Sequence, residues 1–150
     1  EEKGPEQADL GAVVRHRATF WKVLADEQDR PVDVQTSGGR LPVAMSGQDL
    51  GALIDTLMEN VFSHTEPGVG YRIEARPGDG AGQVVLVVED SGGGFEHAGA
   101  LERGESGGGS TGLGLDIVLR AAQRTGGGLK IGESALGGAR VEVLFGNGSG

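Results

Sequence analysis

The sequence contains no cysteine, so disulfide bonds and cysteine-ligated metal sites are excluded. The three histidines, His16, His64 and His97, lie too far apart along the chain for the ligand spacing of a zinc site. No apolar run approaches the roughly 20 residues that a membrane-spanning helix needs, and no signal peptide is recognisable. Acidic residues outnumber basic ones to give a net charge of −9, which disfavours a nucleic-acid-binding face. The composition therefore predicts neither a nucleic-acid partner nor a membrane segment in this chain.

Glycine, in contrast, is abundant, at 30 of the 150 residues. The glycines cluster in loops without a fixed period, which excludes a collagen-like fibre. The length suits one domain that spans residues 1–150. The polar, glycine-containing ends, residues 1–8 and 146–150, are typical of linkers, and we expect a domain that belongs to a longer protein.

Three segments have the apolar periodicity of amphipathic helices. The first follows Asp9, which is predicted to cap it, and it carries His16, which we expect to be an ordinary surface residue. The second runs from about residue 49 to residue 64, and the third begins near Thr111. The predicted buried stripe of the first helix consists of Leu10, Val13, Val14, Phe20, Trp21 and Leu24.

The second helix carries the polar residues of most interest. Ser46 and Asp49 form a start that resembles a capping box. At 100° per residue, Asp55 and Glu59 are predicted to face solvent, away from the apolar stripe. A polar stripe beside the apolar one consists of Thr56, Asn60 and Ser63.

The strand signals come in pairs. Residues 32–34 and 41–45 alternate between apolar and polar on either side of a Thr-Ser-Gly-Gly turn, which predicts a hairpin. Residues 71–76 alternate as a half-exposed strand, and a Pro-Gly-Asp-Gly turn leads from them into the apolar run 84–88. Two closing strands are predicted at residues 129–131 and 141–145. Strands in hairpins indicate an α+β fold, with a two-layer sandwich of a mixed, mainly antiparallel sheet on about three helices.

Asp90 directly follows the strand at residues 84–88. A carboxylate at a strand end can accept a hydrogen bond from the exocyclic amine of adenine, and it would repel the carbonyl oxygen that guanine has there. Gly92 and Gly94 then allow the backbone to approach a purine ring where a Cβ atom would collide. Alone, this sequence is more typical of a simple turn after a strand.

A second glycine cluster, residues 107–115, leads directly into the third helix. Backbone amides at the start of a helix bind phosphate groups. The cluster matches the dinucleotide G-x-G-x-x-G spacing, but no strand directly precedes it, and a Walker-type phosphate loop is excluded because no Gly-Lys-Ser or Gly-Lys-Thr occurs. Asn60 offers an amide oxygen, a ligand that suits Mg²⁺. Together the three pieces predict a site for ATP with magnesium.

These motifs resemble those of the sensor histidine kinases of two-component systems. Residues 57–65, which contain Asn60, resemble the N box of that family, and residues 90–95 resemble its first glycine box. Residues 112–115 are similar to the second glycine box, and residues 137–139 to the closing glycine motif. The resemblance covers residues 41–145 and implies the catalytic ATP-binding domain, with the Bergerat-type α/β sandwich shared with gyrase, Hsp90 and MutL.

The resemblance implies ATP and Mg²⁺ as cofactors, with adenine bound by Asp90 and the metal by Asn60. It implies a mobile lid over residues 94–110 and a catalytic arginine, Arg103, that approaches the terminal phosphate. The residues that it assigns to nucleotide binding are Asn60, Ser63, His64, Asp90, Gly92, Gly94, Ser110, Thr111, Gly112, Leu113, Gly114 and Leu115.

The function implied by the resemblance is transfer of the γ-phosphoryl group to a histidine on a separate dimerisation domain. No segment of this chain resembles that phosphoacceptor domain, which therefore becomes the expected partner, with a response regulator acting after it. The resemblance also implies a cytoplasmic domain whose parent protein is anchored in the bacterial inner membrane.

Four departures from the family pattern leave alternatives open, and the first is a degraded phenylalanine box at residues 101–103. Thr56 stands where the family often has Asn and the ATPase relatives have a general-base Glu, Ser63 stands where many kinases keep a phosphate-binding Lys, and Arg140 stands where Thr or Ser is common. One alternative is a stand-alone serine kinase of the anti-sigma-factor type, which should need a carboxylate base that the second helix lacks. The other is a non-catalytic nucleotide-binding pseudokinase, which Thr56 and Ser63 favour.

Overall fold

The computed structural model describes residues 6–37, 39–92 and 110–146, and residues 110–113 by their backbone alone. Within these residues the helices are α1 (Leu10–Glu27), α2 (Gly47–His64) and α3 (Ser110–Arg124). The strands are β1 (Ala8–Asp9), β2 (Val32–Thr36), β3 (Pro42–Val43), β4 (Tyr71–Pro77), β5 (Val84–Asp90), β6 (Gly128–Glu133) and β7 (Ala139–Phe145). None of these helices is long and apolar enough to cross a bilayer.

Five strands form the main sheet in the order β2-β4-β5-β7-β6. Only β2 and β4 run parallel, and the other neighbours are antiparallel. The core lies between one face of this sheet and the helices, because alternate residues of β4, β5 and β7 join the same apolar cluster as the buried faces of α1, α2 and α3. The predicted α+β sandwich with a mixed, mainly antiparallel sheet on three helices is confirmed.

The predicted hairpin between residues 32 and 45 is wrong. β2 pairs with β4, where Val32 lies opposite Tyr71, and β3 pairs with β1 in a separate two-stranded sheet. Residues 41–45 are instead bonded to the start of α1. The amide of Leu41 donates to Asp9 Oδ1 at 2.8 Å, and the carbonyl oxygen of Leu41 accepts the amide of Leu10 at 2.8 Å. Alternation alone does not specify which strand is the partner.

The ends of the described chain are tied into the fold. Ala8, which belongs to the expected linker 1–8, pairs with Val43 in the small sheet. Asp9 occupies the N-cap position of α1, yet its carboxylate accepts the amide of Leu41 and makes no cap hydrogen bond. Gly146, the first residue of the expected tail, donates its amide to Thr125 Oγ1 at 3.0 Å. Residues 1–5 and 147–150 lie outside the described residues.

Two polar predictions for α2 have different outcomes. Ser46 Oγ accepts the amide of Asp49 at 3.0 Å, as the capping-box pattern predicts. Asp55, predicted to face solvent, instead accepts hydrogen bonds at 2.9 Å from Arg17 Nε and Trp21 Nε1 of α1. A neighbouring helix supplies these donors, so a helical wheel of α2 alone could not reveal them.

One residue of the stripe predicted for α1 is exposed, and two others, Val13 and Leu24, are only partly buried. Phe20 is 50% exposed, and the Arg17 guanidinium carbon lies 4.6 Å from its ring centroid. Trp21, one residue later, turns inward and is 8% exposed. Residues of α1 that are buried are Leu10, Gly11, Val14, Ala18, Trp21 and Ala25.

The open face of the sheet carries a row of alternating charge. Asp33, Arg72, Glu89 and Arg140 lie opposite one another on β2, β4, β5 and β7. Arg72 Nε contacts Asp33 Oδ2 at 3.0 Å, and Arg72 Nη1 lies 3.5 Å from Glu89 Oε2. β5 is buried on both faces, and long charged side chains of the neighbouring strands can cover its apolar residues on this side with their aliphatic stems.

Tyr71 opens β4 inside an aromatic cluster. Its ring centroid lies 5.7 Å from that of Phe62, and its hydroxyl is buried without a hydrogen-bond partner among the described residues. Burial raises the pKa of Tyr71 to about 12, with Arg30 opposing the rise and Asp26 adding to it. The neutral phenol is therefore the form that the fold favours.

The raised pKa of Tyr71 predicts an alkaline loss of stability that Tyr71→Phe removes. An unfolded chain releases the phenolic proton near pH 10, whereas the folded chain holds it until about pH 12. The contribution of the protonated Tyr71 phenol to the free energy of unfolding is fully present below pH 10. About 2 kcal/mol of that free energy should be lost as the pH rises to 12. Urea unfolding of both proteins across this range measures it.

Two observations check this prediction. Tyr71 is the only tyrosine in the sequence, so its ultraviolet titration reports the folded pKa directly. At neutral pH, Tyr71→Phe should leave stability unchanged or slightly raised, because it removes an unpaired buried hydroxyl. If the free energy of unfolding fell equally with rising pH in the wild type and in Tyr71→Phe, the alkaline loss of stability could not be assigned to Tyr71.

Candidate functional site

Asp90 ends β5 on the face of the sheet that the helices cover, and it is 3% exposed. Its Oδ1 atom accepts the amide of Gly92 at 3.0 Å and the amide of Ala139 at 3.2 Å. The first amide comes from the turn after β5 and the second from the start of β7. Two backbone donors therefore fix the orientation of this carboxylate.

Asn60 of α2 lies against the same small cavity as Asp90. The cavity has a volume of about 20 Å³, which is room for one water molecule and far too little for a purine. Asn60 Nδ2 is buried and has no hydrogen-bond partner among the described residues. A buried amide without a partner is costly, and it is typical of a position where a ligand or water completes the contacts. The other lining residues are Leu57, Val61, Val88, Ala139 and Val141.

Two glycines permit close contacts around Asp90. A Cβ atom on Gly138 would overlap Asp90 Oδ1, so the turn between β6 and β7 lies directly on the carboxylate. A Cβ atom on Gly92 would lie 3.1 Å from the methyl groups of Val69, which is tighter than ordinary packing. The turn after β5 is thereby packed against the segment that follows α2.

The start of α3 approaches α2 through Thr56 and Gly114. A Cβ atom on Gly114 would lie 3.2 Å from Thr56 Cγ2, so the glycine allows the two helices to approach closely. The Thr56 hydroxyl donates to Ala52 O at 3.0 Å within α2. This contact brings the first turn of α3, residues 110–113, to the same helix that carries Asn60, and Leu115 lies in the core at 5% exposure.

The remaining predicted residues are distributed as follows. Ser63 is exposed and His64 is half-buried in the last turn of α2, and neither lines the described part of the Asn60–Asp90 cavity. Gly94, His97, Arg103 and the expected lid at residues 94–110 lie outside the described residues, apart from Ser110. The side chains of Ser110, Thr111 and Leu113 are not described, although their backbone is helical.

Arg30 is a buried cation that the sequence patterns did not single out. It is 3% exposed, and its guanidinium donates to Thr65 Oγ1 at 2.7 Å, Thr65 O at 3.1 Å and Val69 O at 3.0 Å. Burial lowers the pKa of Arg30, while Tyr71 and Asp90 act to raise it. Arg30 thus fixes the segment between α2 and β4. An arginine in a turn belongs to no periodic pattern, so the sequence offers no signal for it.

Arg140 lies on the open face, where it contacts Glu142 at 2.7 Å and Glu89 at 3.9 Å. At this end of β7 the residue that lines the Asn60–Asp90 cavity is Ala139. The side chain of Arg140 is therefore directed away from Asp90, because successive residues of a strand alternate between its faces.

Within the described residues no three or more His, Asp or Glu side chains are grouped so that they could hold a metal ion. Mg²⁺ does not require such a group, since it keeps several waters and usually takes one or two protein ligands together with substrate phosphates. An amide that turns through 180° presents its oxygen where its nitrogen was. The unpartnered amide of Asn60 therefore fits the donor set of a magnesium–nucleotide site.

Solved structures with similar folds include the catalytic domain of histidine kinase ThkA, with a TM-score of 0.80, 16% identity and 97% of each chain covered. The ATP binding domain of PrrB from Mycobacterium tuberculosis has a TM-score of 0.71 at 20% identity, covering 94% of this chain and 96% of that one. The cytoplasmic segment of histidine kinase QseC has a TM-score of 0.68 at 16% identity, covering 95% and 78%. These TM-scores, at identities below 25%, show a shared fold alone.

No curated protein matches the chain in sequence. The model of the family described as "Histidine kinase-, DNA gyrase B-, and HSP90-like ATPase" matches residues 45–147. This range contains α2 with Asn60, the end of β5 with Asp90, and the whole of α3. The chain therefore belongs to the histidine kinase-, DNA gyrase B- and HSP90-like ATPase family.

Proposed function

We propose that the chain binds Mg-ATP and transfers the γ-phosphoryl group to a histidine on a separate dimerisation domain. The single observation that carries the proposal is the shared cavity of Asn60 and Asp90 beneath α2. It joins a carboxylate suited to adenine with an amide suited to a metal–phosphate group. Family membership supports ATP binding, and the histidine acceptor is the finer part of the proposal.

Asp90 would select the base. Two backbone amides hold Oδ1, which fixes the direction of the second oxygen, Oδ2. An ionised carboxylate only accepts hydrogen bonds, so it suits the exocyclic amine of adenine and opposes the carbonyl oxygen of guanine. The cavity beside Asp90 has room for one water molecule, which would lie at the polar edge of the site. The purine would lie outside this cavity.

The phosphates would lie between Asn60 and the start of α3. The first backbone amides of α3 have no acceptor within the helix and lie at the positive end of its dipole, and both features favour anions. Its approach to α2 at Thr56 and Gly114 supports this placement. Bound Mg²⁺, held by Asn60 and phosphate oxygens, would supply charge neutralisation.

The contacts of α2 favour transfer to histidine over hydrolysis. Asp55 accepts two hydrogen bonds from α1, the Thr56 hydroxyl is bonded to its own helix, and Glu59 is exposed. Neither Asp55 nor Glu59, the two carboxylates of α2 nearest to Asn60 in sequence, is therefore placed as a general base for an attacking water. A neutral imidazole attacks phosphorus with its own lone pair while the bond to ADP breaks. Positioning and charge neutralisation can then supply most of the rate.

The expected partners follow from this reaction. The phosphoacceptor would be the dimerisation domain of a parent kinase, and a response regulator would receive the group from it. The similar structure of QseC is a cytoplasmic segment, and we propose the same location for this domain, within a parent anchored in the bacterial inner membrane. Arg103 and the lid at residues 94–110 remain predictions from the sequence.

The reaction is tested by incubating the chain with γ-labelled ATP and the purified dimerisation domain of its parent kinase. We expect label on the dimerisation domain that is labile in acid and stable in base, as phosphohistidine is. Label that is stable in acid and labile in base would indicate a serine kinase. ATP binding without any transfer would indicate a pseudokinase, and either result would contradict the proposal.

Asp90→Asn should weaken ATP binding by about 1.5–3 kcal/mol, the range for hydrogen bonds to charged groups. The variant keeps an oxygen for the amides of Gly92 and Ala139, but it replaces the second acceptor with a donor. ATP should therefore lose more affinity than GTP. Calorimetric titration with both nucleotides measures this. Asp116→Asn, which makes the same charge change on an α3 side chain that is 47% exposed, is the control, and equal effects of the two changes would remove Asp90 from the site.

Asn60→Leu should abolish the gain in ATP affinity that Mg²⁺ confers, because leucine offers no oxygen ligand. Asn60→Asp keeps an oxygen and should retain that gain. The measurement is ATP affinity at a series of Mg²⁺ concentrations, with an EDTA control. A full magnesium response in Asn60→Leu would show that another group holds the metal.

A further inference from the structure

Glu89 and Asp90 are neighbours in β5, so their side chains point to opposite faces of the sheet. Both are nevertheless bonded to one short segment, residues 134–139, which consists of the turn between β6 and β7 and the first residue of β7. Glu89 has no part in the nucleotide site described above. Its bond to this turn therefore requires a separate account.

On the open face the contact is between two buried polar side chains. Ser134 Oγ donates to Glu89 Oε1 at 2.7 Å, and the residues are 7% and 6% exposed. Ser134 Oγ also accepts the amide of Leu136 at 2.9 Å. The serine hydroxyl thus connects the end of β5 to the backbone of the turn.

Backbone hydrogen bonds make the turn a single unit. The amide of Ser134 donates to Gly138 O at 2.7 Å, and the amide of Gly137 donates to Ser134 O at 3.0 Å. Gly137 has a φ of +102°, which an L-amino acid with a side chain rarely adopts. Movement of Ser134 would therefore be transmitted to Gly138.

On the helix-covered face the same turn contacts the carboxylate. Gly138 lies so close to Asp90 Oδ1 that a Cβ atom would overlap it, and the next amide, that of Ala139, donates to Oδ1 at 3.2 Å. This segment therefore provides one of the backbone donors that orient Asp90. Its position depends on how firmly it is held at the end of β5.

We propose that Glu89 and Ser134 are a pair of positioning residues that set the orientation of the Asp90 carboxylate and so its selectivity for adenine. The inference rests on the proposed nucleotide function. Neither residue touches the Asn60–Asp90 cavity in the described part of the chain, so both act through the turn. Arg72 and Arg140, at 3.5 Å and 3.9 Å from the Glu89 carboxylate, offset the cost of burying its charge.

The experiment measures the dissociation constants of ATP and ITP, whose base has an oxygen in place of the adenine amine, for the full chain and its variants. Ser134→Ala should lower the selectivity for ATP over ITP by about threefold to tenfold, since a lost donor lets the turn shift. Ser134→Thr keeps the hydroxyl and should retain the wild-type ratio. Glu89→Gln keeps the acceptor and should also retain it.

Thr125→Ala is the matched control for a general loss of stability. Thr125 is also buried, and its hydroxyl likewise donates one hydrogen bond, to Ala122 O, and accepts one, from the amide of Gly146 at the far end of β7. This variant should be destabilised without a change in the ratio of the dissociation constants of ATP and ITP. A wild-type ratio in Ser134→Ala, or an equal loss in Thr125→Ala, would overturn the proposal.

Two further measurements keep the test decisive. If Ser134→Ala does not fold, Glu89→Met replaces it, and a ratio equal to that of Glu89→Gln would overturn the proposal. Without nucleotide, the amide of Ala139 should exchange with solvent faster in Ser134→Ala than in Thr125→Ala. Failure of the wild type to bind ATP would refute the proposed function, whereas normal ATP binding with unchanged selectivity and exchange in Ser134→Ala would refute the positioning role alone.

Discussion

The candidate site depends on a carboxylate that is buried at the end of a strand. Taking an ionised side chain out of water is costly unless hydrogen bonds replace its hydration. For Asp90 the backbone amides of Gly92 and Ala139 supply two of those bonds, from two different segments. Each amide belongs to a tight segment in which a glycine avoids a steric clash, at residues 92 and 138. The glycine motifs of this sequence therefore support the carboxylate itself, whatever ligand lies beside it.

Sequence reasoning succeeded where the signal was local. The apolar periodicity of α2 and the apolar run of β5 placed Asn60 on a helix and Asp90 at a strand end, and the structure brings both to one cavity. The layer architecture followed from the order of helices and strands. The glycine cluster before α3 predicted the start of that helix, which the structure has at Ser110. Each of these features is encoded within a short stretch of chain.

Contacts between distant segments could not be predicted in the same way. Residues 32–45 satisfy the hairpin pattern, yet their partners are β4 and β1, because alternation specifies a face and leaves the neighbour open. Arg30 and Ser134 lie in turns, where no periodicity marks a residue as buried. The helical wheel of α2 alone directs Asp55 to solvent, because it does not include the donors that α1 supplies. These residues become recognisable when the fold supplies their partners.

The charge row across the open face also protects against misregistration of the strands. If β5 slipped by one residue relative to β4 and β7, Arg72 and Arg140 would face a valine or Asp90, and every side chain of β5 would change faces. Asp90 would then lie among the arginines, outside the core. Cross-strand pairs of opposite charge favour the native alignment and penalise the alternative. The ion pairs on the open face thereby help to keep the Asp90 carboxylate buried on the opposite face of the sheet.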